Sequence, residues 1–171
     1  MIRSYQDSDH EKLNVDGDMT EERIEELIRE CQIEAEKSIE SGNPPFGCII
    51  TDRQGNIAVR DHNTQNSDND PTAHAEIRAL SQLGKKIKSR YLDGYSMFAN
   101  ASSCSMCMSG SIKAHIRQFY YGAPPEGSMD PWLPMEEVAA KSSTPISVNG
   151  PILGEECAAQ IARGRQTKPK Y

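Results

Sequence analysis

A layered α/β domain is the fold class this sequence predicts, and three observations carry the expectation. Apolar runs of strand length alternate along the chain with segments whose apolar residues recur at helical spacing. The 171 residues leave room for one sizeable core rather than two. Hydrophobic residues make up 36 % and charged residues 26 %, the composition of a chain that folds.

Residues 1–17 are polar, hold little hydrophobic pattern and read as an N-terminal arm. A long helix is expected from about Met19 to Ser41, because Ile24, Leu27, Ile28, Cys31, Ala35 and Ile39 form one apolar stripe. Asp18 or Thr20 can cap its start, and Gly42 marks its end. Phe46 to Thr51 reads as a strand, Asp52 to Asn56 as a turn and Ile57 to Val59 as the return strand of a hairpin. A polar loop from His62 to Pro71 leads into a helix over about Ala73–Leu83, with Gly84 expected to end it. Then follow a strand (Tyr95–Asn100), a helix (about Cys104–His115) and a strand (Gln118–Tyr121). After a Pro/Gly-rich loop from Ala123 to Pro134 come a short helix (Met135–Lys141), a strand (Ile146–Val148) and a last helix (Leu153–Ala162). These elements place one domain at residues 18–163, with a basic tail at 164–171 that reads as a solvated end.

Several function classes drop out early. Lys and Arg number 19 against 25 Asp and Glu, a net charge of −6, which argues against a dedicated nucleic-acid binder. No run approaches the ~20 apolar residues that span a bilayer, so no membrane partner is expected. The first twenty residues lack the apolar stretch of a secretory signal, and the expected location is cytoplasmic. The odd set Cys31, Cys48, Cys104, Cys107 and Cys157 does not suggest a disulfide framework. Cys31, Cys48 and Cys157 sit in apolar patterns and read as small buried hydrophobes.

Cys104 and Cys107 are different because their spacing is chemical. One helical turn separates them, so both sulfurs can face one point. A second segment, His74-Ala75-Glu76, opens another expected helix. One imidazole and two thiolates make three ligands suited to Zn²⁺, leaving a fourth position open for water, which is the arrangement of a catalytic zinc. Helix N-termini favour thiolates through their exposed N–H groups and partial positive charge. Zinc can draw the pKa of bound water down to about 7, so that it attacks as hydroxide. Glu76 is then the candidate proton shuttle. Residues two apart point about 200° apart within a helix, so His74 and Glu76 can serve one site only from a first turn. Two other readings stay open. A redox Cys-x-x-Cys pair would leave His74-Ala75-Glu76 unexplained. A structural zinc would need a fourth ligand, for which His115 is the only downstream histidine.

These motifs resemble the signature of the zinc-dependent cytidine deaminase-like superfamily, H-x-E followed by P-C-x-x-C. The resemblance runs from about Thr20 to Ala162. Asp70 to Ile77, Pro45-Phe46-Gly47 and Tyr121-Gly122-Ala123 are especially similar to its guanine deaminase and tRNA-adenosine deaminase branch. The resemblance implies a three-layer α/β/α sandwich around a five-stranded mixed sheet, with zinc between two helix N-termini. It also implies a homodimer, and it places Asn63 where that branch holds an asparagine that hydrogen-bonds the base. One departure stands out: Ser102-Ser103 occupies the place of the usual Glu-Pro. Ser103 is expected to cap the following helix with its hydroxyl, while the pocket wall beside the metal changes.

The expected reaction is hydrolytic deamination of a free nucleobase or similar small heterocycle, with guanine the first choice. Hydroxide on zinc attacks the amino-bearing ring carbon, Glu76 shuttles the proton and ammonia leaves. Cytosine, a nucleoside or tRNA adenosine are the alternatives, the last disfavoured by the net charge. An inactive zinc-stabilised binding module is the non-enzyme alternative. The substrate-binding set comprises Asn63, Ala75, Phe46, Trp132 and Asp130. Trp132 could stack on a ring or pack in the core. Glu126 or Asp130 could accept hydrogen bonds from guanine or simply be solvated, and Phe46 could line the pocket or the core.

Overall fold

The computed structural model describes residues 18–127, 129 and 131–166. The proposed N-terminal arm, Asp130, and Lys168 and Lys170 of the basic tail lie outside the described residues. Five strands form one sheet in the order β2-β1-β3-β4-β5. They are β1 (Gly47–Thr51), β2 (Ile57–His62), β3 (Ser96–Ala101), β4 (Gln118–Ala123) and β5 (Ser147–Asn149). β1 runs antiparallel to β2 and β3, whereas β3, β4 and β5 are mutually parallel, so the sheet is mixed. The helices are α1 (Glu21–Glu40), α2 (Gln65–Asp68), α3 (Ala75–Ile87), α4 (Ser105–Lys113), α5 (Met135–Ala140) and α6 (Gly154–Gln166).

Period-2 alternation sends successive strand side chains into two different cores. Cys48, Ile50, Met97, Phe119 and Tyr121 face Ala79 and Leu83 of α3, Met108 of α4 and Met135 of α5. Ile49 and Phe98, between them in sequence, face Leu27, Ile28 and Cys31 of α1 and Cys157 and Ile161 of α6. The result is the three-layer sandwich. Thr20 caps α1 by accepting the Arg23 backbone N–H at 3.1 Å, and Gly42 takes a positive φ of 80° just past its end. Gly47 has no tolerance for a side chain: a Cβ there would lie 2.1 Å from the Cys31 carbonyl oxygen, where α1 crosses β1. Across the same crossing Asn100 on β3 donates to the Pro45 carbonyl and accepts the Gly47 N–H, each at 3.0 Å. Cys31, Cys48 and Cys157 are fully buried free thiols.

The structure corrects several local expectations. α3 does not stop at Gly84 but continues to Ile87, and Lys88 ends it with a left-handed φ of 56°. Gly84 instead makes room for the returning chain, since a Cβ there would touch the Ser89 carbonyl oxygen at 3.0 Å. The segment His62–Pro71 is not all loop: β2 extends to His62 and α2 forms within it. α6 runs through Gln166, so residues 164–166 belong to a helix rather than a tail. Gly164 is buried there, and a Cβ at that position would meet Pro45 at 2.6 Å. No helix among the described residues is long and apolar enough to cross a membrane.

Candidate metal centre and active-site cavity

His74 and Cys104 occupy equivalent places, each the N-cap residue of a helix with extended backbone (ψ 149° and 167°). The approach to His74 is fixed by Asp70, whose Oδ1 accepts from the Thr72 N–H at 2.8 Å and the Thr72 hydroxyl at 2.7 Å. Those bonds also hold the Asp70 carboxyl below its usual pKa. The Ala73 carbonyl accepts from Thr64 N–H at 3.0 Å, locking this loop to the end of β2. Cys107 follows one turn into α4 and is fully buried.

These three side chains converge. The His74 Nδ1 lies 3.6 Å from the Cys104 sulfur and 3.4 Å from the Cys107 sulfur. A tetrahedral zinc with bonds of about 2.05 Å to nitrogen and 2.3 Å to sulfur requires a nitrogen–sulfur separation of roughly 3.6 Å. Distance and donor chemistry therefore both fit zinc. Among the described residues His74, Cys104 and Cys107 are the one group of His, Cys, Asp and Glu side chains placed to share a metal ion. His115 does not supply a fourth ligand; its Nδ1 is 3.1 Å from Asp93 and its ring stacks on Tyr91.

The two thiols are unequal. The hydrogen bond from Cys107, supported by one from His74, pulls the Cys104 thiol down to about 4. Cys107 is pushed up as the proton-holding partner and by burial. The hydrogen bond to Cys104 raises the His74 pKa. Glu76, in the first turn of α3, is 7 % exposed, and burial followed by repulsion from the Cys104 thiolate lifts its carboxyl above the ordinary range.

The centre opens on a cavity of about 420 Å³. His74, Cys104 and Glu76 line it together with Phe46, Asn63 and Ser102. Phe46 thus faces the cavity and also packs against both cores. Asn63 is 1 % exposed and its backbone N–H donates to the Phe46 carbonyl at 3.0 Å. Ala75 is buried in the core cluster beside Ala79 and is not among the lining residues. Trp132 is 55 % exposed; it neither lines the cavity nor joins a core cluster. Asp130 lies outside the described residues, and Glu126 lines the mouth paired with Arg165.

The Ser102-Ser103 pair behaves differently from expectation. Ser103 does not cap α4: the N-cap is Cys104, and no side chain caps that helix. Ser103 is 3 % exposed, and its hydroxyl acts on Glu76 instead, as a small influence that lowers that carboxyl's pKa against the larger effect of burial. The Ser102 hydroxyl is buried and bonds to no protein group. Sequence reasoning also missed Ile161 and Arg165, which bring α6 to the cavity wall. Their i, i+4 spacing was the available signal, hidden by reading the nearby charges as a solvated end.

The profile described as cytidine and deoxycytidylate deaminase zinc-binding region matches residues 21–123, which contain all three metal-ligand candidates and Glu76. This chain belongs to that family. A tRNA-specific adenosine deaminase of Aquifex aeolicus is 31 % identical over 90 residues, covering 53 % of this chain and 59 % of that protein. The chain thus aligns with under two thirds of that relative's length. A probable cytosine deaminase of Schizosaccharomyces pombe is 28 % identical over 139 residues, covering 75 % of this chain and 84 % of that one. Among solved structures, a guanine deaminase from Nitrosomonas europaea superposes with a TM-score of 0.69 at 22 % identity, covering 84 % of this chain and 83 % of that one. A tRNA:A34 deaminase superposes at 0.71 and 23 %, covering 79 % and 98 %. At these identities the superpositions establish the deaminase-like fold.

Proposed function

We propose that this chain is a zinc-dependent hydrolytic deaminase of a free nucleobase or similar small heterocycle, with guanine the first candidate. The observation that carries the reading is the buried Glu76 carboxyl, which lines a cavity beside a His/Cys/Cys group of zinc-binding dimensions. His74, Cys104 and Cys107 would hold the ion, which supplies Lewis-acid activation of water. Phe46 would pack on the heterocycle, and Asn63 would hydrogen-bond its edge. Glu76 takes one proton from the attacking water and passes it to a ring nitrogen. It then carries the second to the departing amine, so that the ring gains oxygen and releases ammonia. Burial disfavours the charged form of Glu76, which suits a group that must both accept and give a proton.

A small base is favoured over RNA by the net charge of −6 and by the pairing of Arg165, at the cavity mouth, with Glu126. The tRNA adenosine reading is the second one, favoured by the Aquifex relative. A cytoplasmic setting belongs to the proposal, since all five cysteines are free thiols. So does a homodimer, expected from the resemblance and read by light scattering. The test is ammonia release by zinc-loaded protein from guanine, adenine, cytosine, cytidine and tRNA, with Glu76→Ala alongside. Turnover of guanine that falls about 100- to 10,000-fold in Glu76→Ala is the expected result. Turnover of tRNA alone establishes the second reading. Zinc binding without turnover of any of these substrates overturns the guanine reading and leaves two: a substrate outside the panel, tied to Ser102-Ser103, or the binding module.

A further inference from the structure

Asn63 does not present a free amide to the cavity. Its Oδ1 accepts the backbone N–H of Gln65 at 2.9 Å, and its Nδ2 donates to the Gln65 Oε1 at 2.8 Å. The Gln65 Nε2 in turn donates to the Pro71 carbonyl at 3.1 Å. Both ends of this relay are chemically fixed, because a backbone N–H only donates and a carbonyl only accepts. Turning either amide over would set donor against donor or acceptor against acceptor. A primary amide has two N–H groups and two acceptor lone pairs. Gln65 consumes one of each, so one N–H and one lone pair of Asn63 remain, in assigned places. Asn63 is 1 % exposed and lines the cavity, so those two sites have little water to turn to. Pro71 also lies three residues before His74, so the relay ties the substrate wall to the loop that delivers a metal-ligand candidate.

We propose that Gln65 is a positioning residue for the substrate. It locks the Asn63 amide so that a bound heterocycle meets one fixed donor and one fixed acceptor, selecting ring edges that offer the complementary pair. This rests on the reading of Asn63 as a base-contacting residue. It goes beyond that reading by assigning a role to a side chain on α2, in a segment that the sequence presents as plain polar loop.

The test uses Gln65→Met, which keeps the length of the side chain but offers Nδ2 only a weak thioether acceptor, and Gln65→Glu, which restores an oxygen acceptor. In zinc-loaded protein acting on guanine, Gln65→Met should raise KM about tenfold with kcat changed less than about threefold. Gln65→Glu should recover only part of that loss, because one carboxylate oxygen accepts from Nδ2 while the other meets the Pro71 carbonyl as acceptor against acceptor. In an Asn63→Ala background the Gln65→Met effect should vanish, since the lock then has nothing to hold. An unchanged KM, or a Gln65→Met effect equally large without Asn63, overturns the inference. The Asn63 side-chain amide also reports directly by ¹⁵N NMR, without turnover. Its hydrogen-bonded proton should exchange with water about tenfold or more faster in Gln65→Met than in the parent chain, and in Gln65→Glu at a rate between the two. Equal exchange in all three overturns the lock. If no base in the panel reacts, the guanine reading fails, while the exchange rates still decide whether Gln65 holds Asn63.

Discussion

Removing the metal should turn Cys104 into the one reactive thiol of the chain, with a pH profile unlike that of an ordinary cysteine. With its pKa near 4, Cys104 is about 99 % thiolate at pH 6, where a free cysteine of pKa about 8.5 is roughly 0.3 % thiolate. The gain of about 300-fold in thiolate is offset by weaker intrinsic nucleophilicity. A Brønsted slope of about 0.45 over 4.5 pKa units costs roughly 100-fold, leaving an advantage of about threefold over a free thiol at that pH. Within the chain the advantage is far larger, because Cys31, Cys48, Cys107 and Cys157 are all 0 % exposed. The assay is alkylation of chelator-stripped protein by iodoacetamide from pH 5.5 to 8.5, followed by intact mass and peptide mapping. The modification should fall on Cys104, and its rate should be nearly flat with pH, whereas an ordinary thiol speeds up about tenfold per unit. Zinc added first should block it. A rate that climbs tenfold per unit between pH 6 and 8, or first labelling at another cysteine, would refute the reasoning.

Two further outcomes follow from the same geometry. Burial raises the Glu76 pKa in the folded chain, so the stability tied to its proton is full at low pH and is lost as pH rises through the folded value. Glu76→Gln should therefore raise the melting temperature of metal-free protein at pH 8, with the gain shrinking towards pH 4; a lower melting temperature at pH 8 contradicts this. Gly47→Ala places a methyl 2.1 Å from the Cys31 carbonyl and 2.5 Å from the Ala35 nitrogen, both backbone atoms. It should cost about 3 kcal/mol and lower the melting temperature by roughly 6–12 °C. A loss below about 2 °C would show that α1 can move off the sheet freely.

How much of this was legible in the sequence depends on how local the determining interaction is. The two cores could be anticipated because strand alternation and the α1 stripe are written in consecutive residues. The metal group was equally visible: His74, Cys104 and Cys107 each sit at the start of a helix whose opening is readable nearby. Readings that needed the tertiary neighbour went astray. Gly84 carries the usual mark of a helix end, but its contact is the Ser89 carbonyl and the helix runs past it. Ser103 has the right chemistry for a cap, yet the helix takes Cys104 as its N-cap and leaves Ser103 buried one residue ahead of it. Trp132 invited a stacking role as the one tryptophan, and it stands exposed. Gln65 gave no local signal, because its meaning lies in the geometry that Asn63 and Pro71 create around it.

The Asn100 clamp has a consequence for how tightly a ligand can bind. By holding the Pro45 carbonyl and the Gly47 N–H, it fixes the residues on either side of Phe46. With its backbone held on both sides and its ring packed against both cores, Phe46 is in place at the cavity before anything enters. Ordering a loose, rotamer-rich side chain on binding typically costs about 0.5–1.5 kcal/mol, and a wall set during folding is spared much of that. A small planar ligand offers few atoms from which to draw affinity. For such a ligand, a surface that has given up its freedom in advance can make the difference between a passing encounter and residence long enough for chemistry.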